Sequence, residues 1–238
     1  MQTTPLLRRL QAIATPTDEE REVLASLSGA TRQLRPNEDI ARVGEQPSVV
    51  CLMLEGIACR YKISADGKRQ IMSFHLPGDM PDLNTLFVHT MDHNFGALVP
   101  TTVITVPHDK MRGILVRYPR IAHLLWRETL IDAAVYREWI VMRDRPAYAR
   151  VAHLFCELFL RMQVIGLSKD LSCPLPLTQL QMGDALGLSD VHVNRTLQEL
   201  RAEQLIRLEG GTLTILDWEG LNYAGEFDSL YLHLKRAA

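Results

Sequence analysis

The sequence predicts an α+β protein with a barrel-like β-roll, one long helix and a C-terminal winged helix-turn-helix. Three observations predict it. From Leu34 to about Val106 the chain alternates short apolar-polar runs with turn residues, the pattern of many short strands. From Ile121 to about Arg143 a helical pattern runs without Gly or Pro. Leu177–Arg201 reads as two short helices about a glycine turn, followed by two strand-like runs flanking Gly210-Gly211.

Composition bounds the rest. A chain of 238 residues fits two modest domains, each able to bury a core. With 47% hydrophobic residues and a net charge of -2, it has the composition of a water-soluble globular protein. No apolar run approaches a membrane span, and MQTTPLLRRLQAIATPTDEE lacks the apolar core of a secretion signal. The expectation is a cytoplasmic protein with no membrane partner. Cys51, Cys59, Cys156 and Cys173 are scattered without a Cys-x-x-Cys pair, as expected of reduced structural thiols.

In chain order, residues 1 to about 30 read as one or two short helices, with Pro16-Thr17-Asp18-Glu19-Glu20 as a helix start. The strands follow. Val49–Leu54 is followed by Glu55-Gly56, Ile57–Ile63 runs to the hairpin signal Asp66-Gly67, Gln70–Leu76 ends at Pro77-Gly78-Asp79, and Thr102–Val106 closes the series. Pro119 starts the long helix, and Pro146 breaks it at a hinge. The expected domains are residues 1–118, 119–145 and 146–238. Ile121, Leu124, Ile131, Val135 and Met142 are spaced near a coiled-coil repeat, and Leu125, Trp126, Leu130 and Trp139 form a second apolar face. One face can cover the roll while the other meets a symmetry mate, or the two can be a single broad core face. Leu124, Ile131, Val135 and Met142 are taken as the dimer seam. Val151, Leu154, Phe155 and Leu158 make the core side of the next helix.

Thr178 followed by Gln181 is a capping-box spacing, and Met182, Ala185 and Leu186 give one buried face. Gly187 stops that helix, Ser189 caps the next, and Val193, Leu197 and Leu200 are its buried side. Opposite Val193 the helix carries Val191, Arg195 and Gln198, flanked by His192 and Asn194. The second helix of such a unit enters a DNA major groove, where Arg pairs with guanine and Asn or Gln with adenine. Thr178, Gln179, Ser189, Asp190, Val191, His192, Asn194, Arg195 and Gln198 are therefore the candidate DNA-binding residues, with double-stranded DNA as partner. Charge limits the mode of binding. Between Thr178 and Glu209 the cations are Arg195, Arg201 and Arg207, against Asp184, Asp190, Glu199, Glu203 and Glu209. That balance excludes a protein that coats phosphates and favours a few placed contacts doubled by dimerisation.

Roll, long helix, hinge and winged helix-turn-helix in this order resemble the Crp/Fnr superfamily of transcription regulators over roughly residues 24–216. The marks of the resemblance are Gly44-Glu45, Glu55-Gly56, Asp66-Gly67, Pro77-Gly78-Asp79 and the Thr178–Arg201 block. It implies a double-stranded, cupin-like β-roll that senses an effector, a dimerising helix, homodimers on a pseudo-palindromic operator, and RNA polymerase as a candidate partner. It also implies that Arg195 reads a base. Asp190 and Val191 stand where other members carry a second Arg and a Glu, so the usual half-site preference does not transfer. An effector pocket would involve Met80, Asp82, Leu83, Asn94, Phe95, Val135 and Tyr136. Members that bind cyclic AMP carry a Glu and an Arg there for ribose and phosphate; neither is in place in Asp79–Asn84 or His93–Ala97, which argues against a cyclic nucleotide. Residues 1–50 contain no cysteine, which argues against an iron–sulfur cluster.

Other chemistry is thin. His89 and His93, with His75 and His108, could hold a metal or haem if the His-x3-His spacing lay on a helix, although solvated loop histidines are the plainer reading. No metal site is assigned, and haem stays only as an alternative. Cys51 and Cys59, eight apart in neighbouring strands, are a conceivable redox pair. No nucleophile elbow, phosphate-cradling loop or dinucleotide fingerprint is present, so an enzyme is not expected. Cys156 and His153 lie on an apolar helix, where a nucleophile would be inaccessible. The remaining rival is a regulatory or haem/redox signal-binding module with a vestigial helix-turn-helix.

Overall fold

The computed structural model describes residues 4–235; the first and last three positions of the expected domain limits lie outside them. Among these residues the chain forms two compact units that divide within the long helix, between Ala133 and Ala134. The first takes the chain up to Lys62, then Ser73–Ala133 and the segment from His233; the second takes Ile63–Met72 and Ala134–Leu232.

The first unit opens with helix α1 (Pro5–Ile13) and helix α2 (Asp18–Ala25). Thr17 caps α2 in a reciprocal box: its hydroxyl accepts from Glu20 N–H, and the Glu20 carboxylate accepts from Thr17 N–H at 2.7 Å. Seven strands follow in the chain, β5 beginning in the stretch assigned to the second unit: β1 (Ala30–Leu34), β2 (Asp39–Ala41), β3 (Val49–Glu55), β4 (Ala58–Ile63), β5 (Arg69–His75), β6 (Asn94–Ala97) and β7 (Thr101–Pro107). They form a three-stranded sheet ordered β1-β7-β3 and a four-stranded sheet ordered β2-β6-β4-β5. Strand β3 pairs antiparallel with β7, Leu52 opposite Ile104 and Met53 opposite Val103.

The run Val50-Cys51-Leu52-Met53 is buried along its whole length because β3 is covered on both faces. Val50 and Leu52 pack with Leu6, Leu10, Leu24, Met111 and Ile121 of the surrounding helices. Cys51 and Met53 pack with Phe95, Met91, Ala58 and Val103, bringing the two sheets together. After β5, the Pro77-Gly78-Asp79 turn is fixed by backbone bonds in both directions with Met53, at 2.8 and 3.0 Å. A Cβ on Gly78, whose φ is +95°, would stand 2.7 Å from the Pro5 carbonyl, so only glycine lets this turn meet α1. A 3-10 turn (Leu83–Leu86) precedes β6, and helices α3 (His108–Arg117) and α4 (Pro119–Met142) follow β7.

In the second unit, helix α5 (Ala147–Val164) is the core. Val151, Leu154, Phe155, Cys156 and Leu158 are fully buried, as the sequence pattern requires. Around it lie β8 (Ser172–Pro174), α6 (Gln179–Leu186), α7 (Asp190–Ala202), β9 (Ile206–Glu209), β10 (Thr212–Ile215) and α8 (Trp218–Ala224). Within α5, Glu157 is fully buried and accepts from Trp139 Nε1 (2.9 Å), Tyr231 OH (2.9 Å) and Arg161 (3.2 Å). A buried carboxylate persists only with such a shell of donors. His153, also fully buried, lies 3.1 Å through Nδ1 from the Gly225 carbonyl oxygen and 3.0 Å through Nε2 from Tyr231 OH.

Candidate nucleic-acid interface

Helix α6 begins where Thr178 and Gln181 satisfy each other's backbone donors, at 3.1 and 2.9 Å. It buries Met182, Ala185 and Leu186, and stops at Gly187 in the left-handed conformation, φ +65° and ψ +40°. The turn also depends on Gly183, which the sequence reading passed over: a Cβ there would lie 2.6 Å from the Leu188 carbonyl oxygen. Leu188 N–H donates back to Gly183 O at 3.0 Å, closing the turn.

Ser189 then caps α7, its hydroxyl accepting from His192 N–H and lying 2.7 Å from His192 Nδ1. Val193, Thr196, Leu197 and Leu200 are buried, which fixes the rotation of the helix. Asp190, Val191, His192, Asn194, Arg195 and Gln198 are all exposed on the remaining arc, with Ser189 and Thr178 exposed beside it and Gln179 half-buried. Two of these side chains are already engaged. Asn194 Nδ2 donates to Gln179 Oε1 at 3.2 Å, bracing α7 against α6, and His192 is engaged by its cap. The Arg195 side chain is 65% exposed and only loosely paired with Glu199, at 3.7 Å one turn on. A pair that open to water holds the guanidinium weakly, leaving its donor fork available. Arg201 donates to the Leu208 carbonyl at 3.0 Å, tying α7 to the following hairpin. That hairpin joins β9 to β10 through Gly210 and Gly211, both at positive φ, and β8 adds a third strand in the order β8-β10-β9. Strand β8 was missed in the sequence because three residues give no period.

Of the residues proposed for an effector pocket, Leu83 lines a cavity of the first unit, and the others there serve the core or bond locally. Phe95 belongs to the core between the sheets; Met80 and Leu83 belong to the core beneath the helices. Asp82 accepts from Cys51 N–H at 2.7 Å, and burial pushes its carboxyl up to about 6. Asn94 accepts from Val43 N–H at 3.1 Å. Val135, buried, and Tyr136, half-buried, fall in the second unit. Near the Pro77-Gly78-Asp79 turn the first unit holds a buried ionic cluster instead: Arg9 lies 3.0 Å from Glu128 and 3.5 Å from Asp79, and Arg60 lies 3.5 Å from Asp132.

The histidine and cysteine readings change with the coordinates. His89 to His93 is not helical, so the His-x3-His spacing does not bring the rings together. His75 bonds Ser73, His93 bonds Asp92 and His108 bonds Thr85. Among the described residues no group of three or more His, Cys, Asp or Glu side chains is placed to hold a metal ion. Cys51 and Cys59 are buried thiols outside any disulfide, on strands of different sheets and not neighbours in one. Burial raises the Cys51 thiol far above its ordinary value, and raises Cys156 to about 12.

On α4 the two expected faces do not separate. Ile131, Val135 and Met142 are buried within the chain itself and Leu124 half-buried, and Leu125 and Trp139 of the other expected face are buried too, whereas Trp126 (68%), Leu130 (55%) and Ile140 (68%) are exposed. No helix among the described residues is long and apolar enough to cross a membrane.

Comparison with known proteins places these parts. Residues 31–118 match the cyclic nucleotide-binding domain family and residues 149–224 the Crp-like helix-turn-helix domain family. The transcriptional activator protein FnrA of Stutzerimonas stutzeri is 24% identical over 204 residues, 85% of this chain and 83% of that protein. The nitrogen fixation regulation protein FixK of Bradyrhizobium diazoefficiens is 27% identical over 168 residues, 69% of each. The solved structure of FixK2 from Bradyrhizobium japonicum superposes with a TM-score of 0.75 at 25% identity, covering 83% of this chain and 98% of that one. With a sensor roll, a long helix and an exposed, capped second helix in the order these relatives share, the chain belongs to the Crp/Fnr family of DNA-binding, non-enzymatic transcription regulators.

Proposed function

We propose that the protein regulates transcription as a homodimer, setting two copies of α7 into successive major grooves of a pseudo-palindromic operator about 34 Å apart. The observation that carries this reading is the exposed arc of α7. Arg195 and Gln198 offer the two-pronged chemistry suited to guanine and adenine, and Val191 offers an apolar contact suited to a thymine methyl. Asn194, braced on Gln179, orients the helix. The acidic surroundings keep non-specific affinity low, so selectivity rests on few contacts and on two-fold doubling. Trp126, Leu130, Ala133, Arg137 and Ile140 follow one another at intervals of four and three along α4, a coiled-coil seam for the second copy. The sensor roll acts without cyclic AMP, since the ribose- and phosphate-holding side chains are replaced.

The test is selection from a pool of random duplexes, followed by fluorescence anisotropy on the selected sequence. Wild type should enrich a sequence with two-fold symmetry, with affinity unchanged by cyclic AMP. Arg195→Ala should lose about 1–3 kcal/mol per base contact and relax the preference at that position. Full retention of sequence preference by Arg195→Ala would remove Arg195 from the reading. No enrichment at any salt concentration would favour a signal-binding module that does not engage DNA.

A further inference from the structure

Within the first unit, the 3-10 turn, α3 and the first half of α4 line a half-open cavity of about 380 Å³. Its apolar walls are Leu83, Leu86, Leu115, Ala122 and Leu125; Thr129 also lines it, its hydroxyl already donated to the Leu125 carbonyl at 3.2 Å, and no charged side chain does. Phe87 and Trp126 also line it, and both are exposed. Asn84 is the one amide in the lining, and its Oδ1 is buried with no hydrogen-bond partner among the described residues. The volume falls in the range of small-molecule sites, which combine apolar walls with a few polar groups. Two further facts define the occupant. An ion has no counter-charge here and would be buried unpaired, so the occupant is neutral. The torsion that turns an Asn amide is soft, so Asn84 can present its unspent acceptor to a donor.

We propose that this cavity binds one small, uncharged, largely aromatic molecule carrying a single hydrogen-bond donor, the donor meeting Asn84 Oδ1. The occupant touches both the turn that follows Pro77-Gly78-Asp79 and the helix that carries the proposed seam. Binding at this site does not require the DNA reading to hold, so it is tested without DNA.

The experiment is a calorimetric titration of the full chain with three probes: indole, its isostere indene, which lacks the N–H, and indole-3-carboxylate. Indole should bind saturably at one per chain, indene about tenfold more weakly, the worth of one hydrogen bond, and the carboxylate not at all. Asn84→Leu should bring indole down to the affinity of indene. Leu115→Trp and Ala122→Phe, which fill the space, should each abolish binding while melting like wild type by circular dichroism; if one fails to fold, the other decides. Absence of indole binding to wild type overturns the proposal, as does binding that survives the filling variants or ignores Asn84→Leu. A wild type that takes up no indole, together with a Phe87→Ser variant that no longer self-associates, would give the cavity to a second copy of the chain instead.

Discussion

Arg195 and Gly183 illustrate two ways a single residue acts in the helix-turn-helix. Arg195 supplies a charge-bearing fork that the chain leaves in water, so its substitution should be silent for stability and costly for DNA selection. Gly183 supplies the absence of a side chain. A methyl there meets a backbone carbonyl at 2.6 Å, and neither α6 nor the turn can yield cheaply. Gly183→Ala should destabilise the protein by about 1–3 kcal/mol, the usual cost of overpacking, read as a lower denaturant midpoint. Glu157 is the counter-case, a buried charge retained by three donors. Glu157→Ala strands the Trp139, Tyr231 and Arg161 donors and should cost about 3–5 kcal/mol, as breaking a buried ionic network does. Asp82 departs from both. Its carboxyl is held near 6 by burial, so the charged form weakens the fold at neutral pH. Asp82→Asn, which keeps an oxygen for Cys51 N–H, should raise the melting temperature at pH 7.5.

At the scale of elements, α4 carries the proposed seam. Its inner side is used by the chain, and its outer stripe is exposed at Trp126, Leu130 and Ile140. Leu130→Arg and Ile140→Arg change positions exposed in the single chain, so each should leave the stability of the monomer within about 0.5 kcal/mol of wild type. The pair together should convert a dimer to a monomer by sedimentation equilibrium; an unchanged mass would move the seam elsewhere. Helix α7 was legible before the coordinates because each of its features is local: a Ser cap, a Gly stop, and an apolar repeat fixing its rotation. The division of α4 between core and surface was not, since two apolar stripes of comparable strength wind round the same helix. Periodicity says that both exist; only packing says which one the rest of the chain consumes.

At the scale of the whole molecule, pH dependence collects buried groups of opposite sign. His75 and His153 are held below the ordinary imidazole value, chiefly by burial. Above about pH 6.5 neither folded nor unfolded chain protonates them, and their contribution to stability is intact. Below that the unfolded chain takes up the protons first, and stability falls as the pH drops toward the folded values. Asp82 runs the other way, since below about 6 its folded form binds a proton before the unfolded form does. Melting temperature should therefore fall as the pH drops below about 6.5, with Asp82 offsetting part of the fall below about 6. Thermal melts between pH 7.5 and 5 check the sign, and in Asp82→Asn the fall below pH 6 should be steeper.

The sequence by itself determined the α+β class, the order roll–helix–winged helix-turn-helix, the family resemblance and the capped, exposed face of α7, because caps, stops and periodicity are written in residues a few positions apart. Only the tertiary structure decided which residues of α4 are spent on the core, that the histidines form no cluster among the described residues, that Cys51 and Cys59 lie in different sheets, and that a neutral cavity opens beside the 3-10 turn. Each of these depends on residues brought together from distant parts of the chain, whose separation in space no local pattern records.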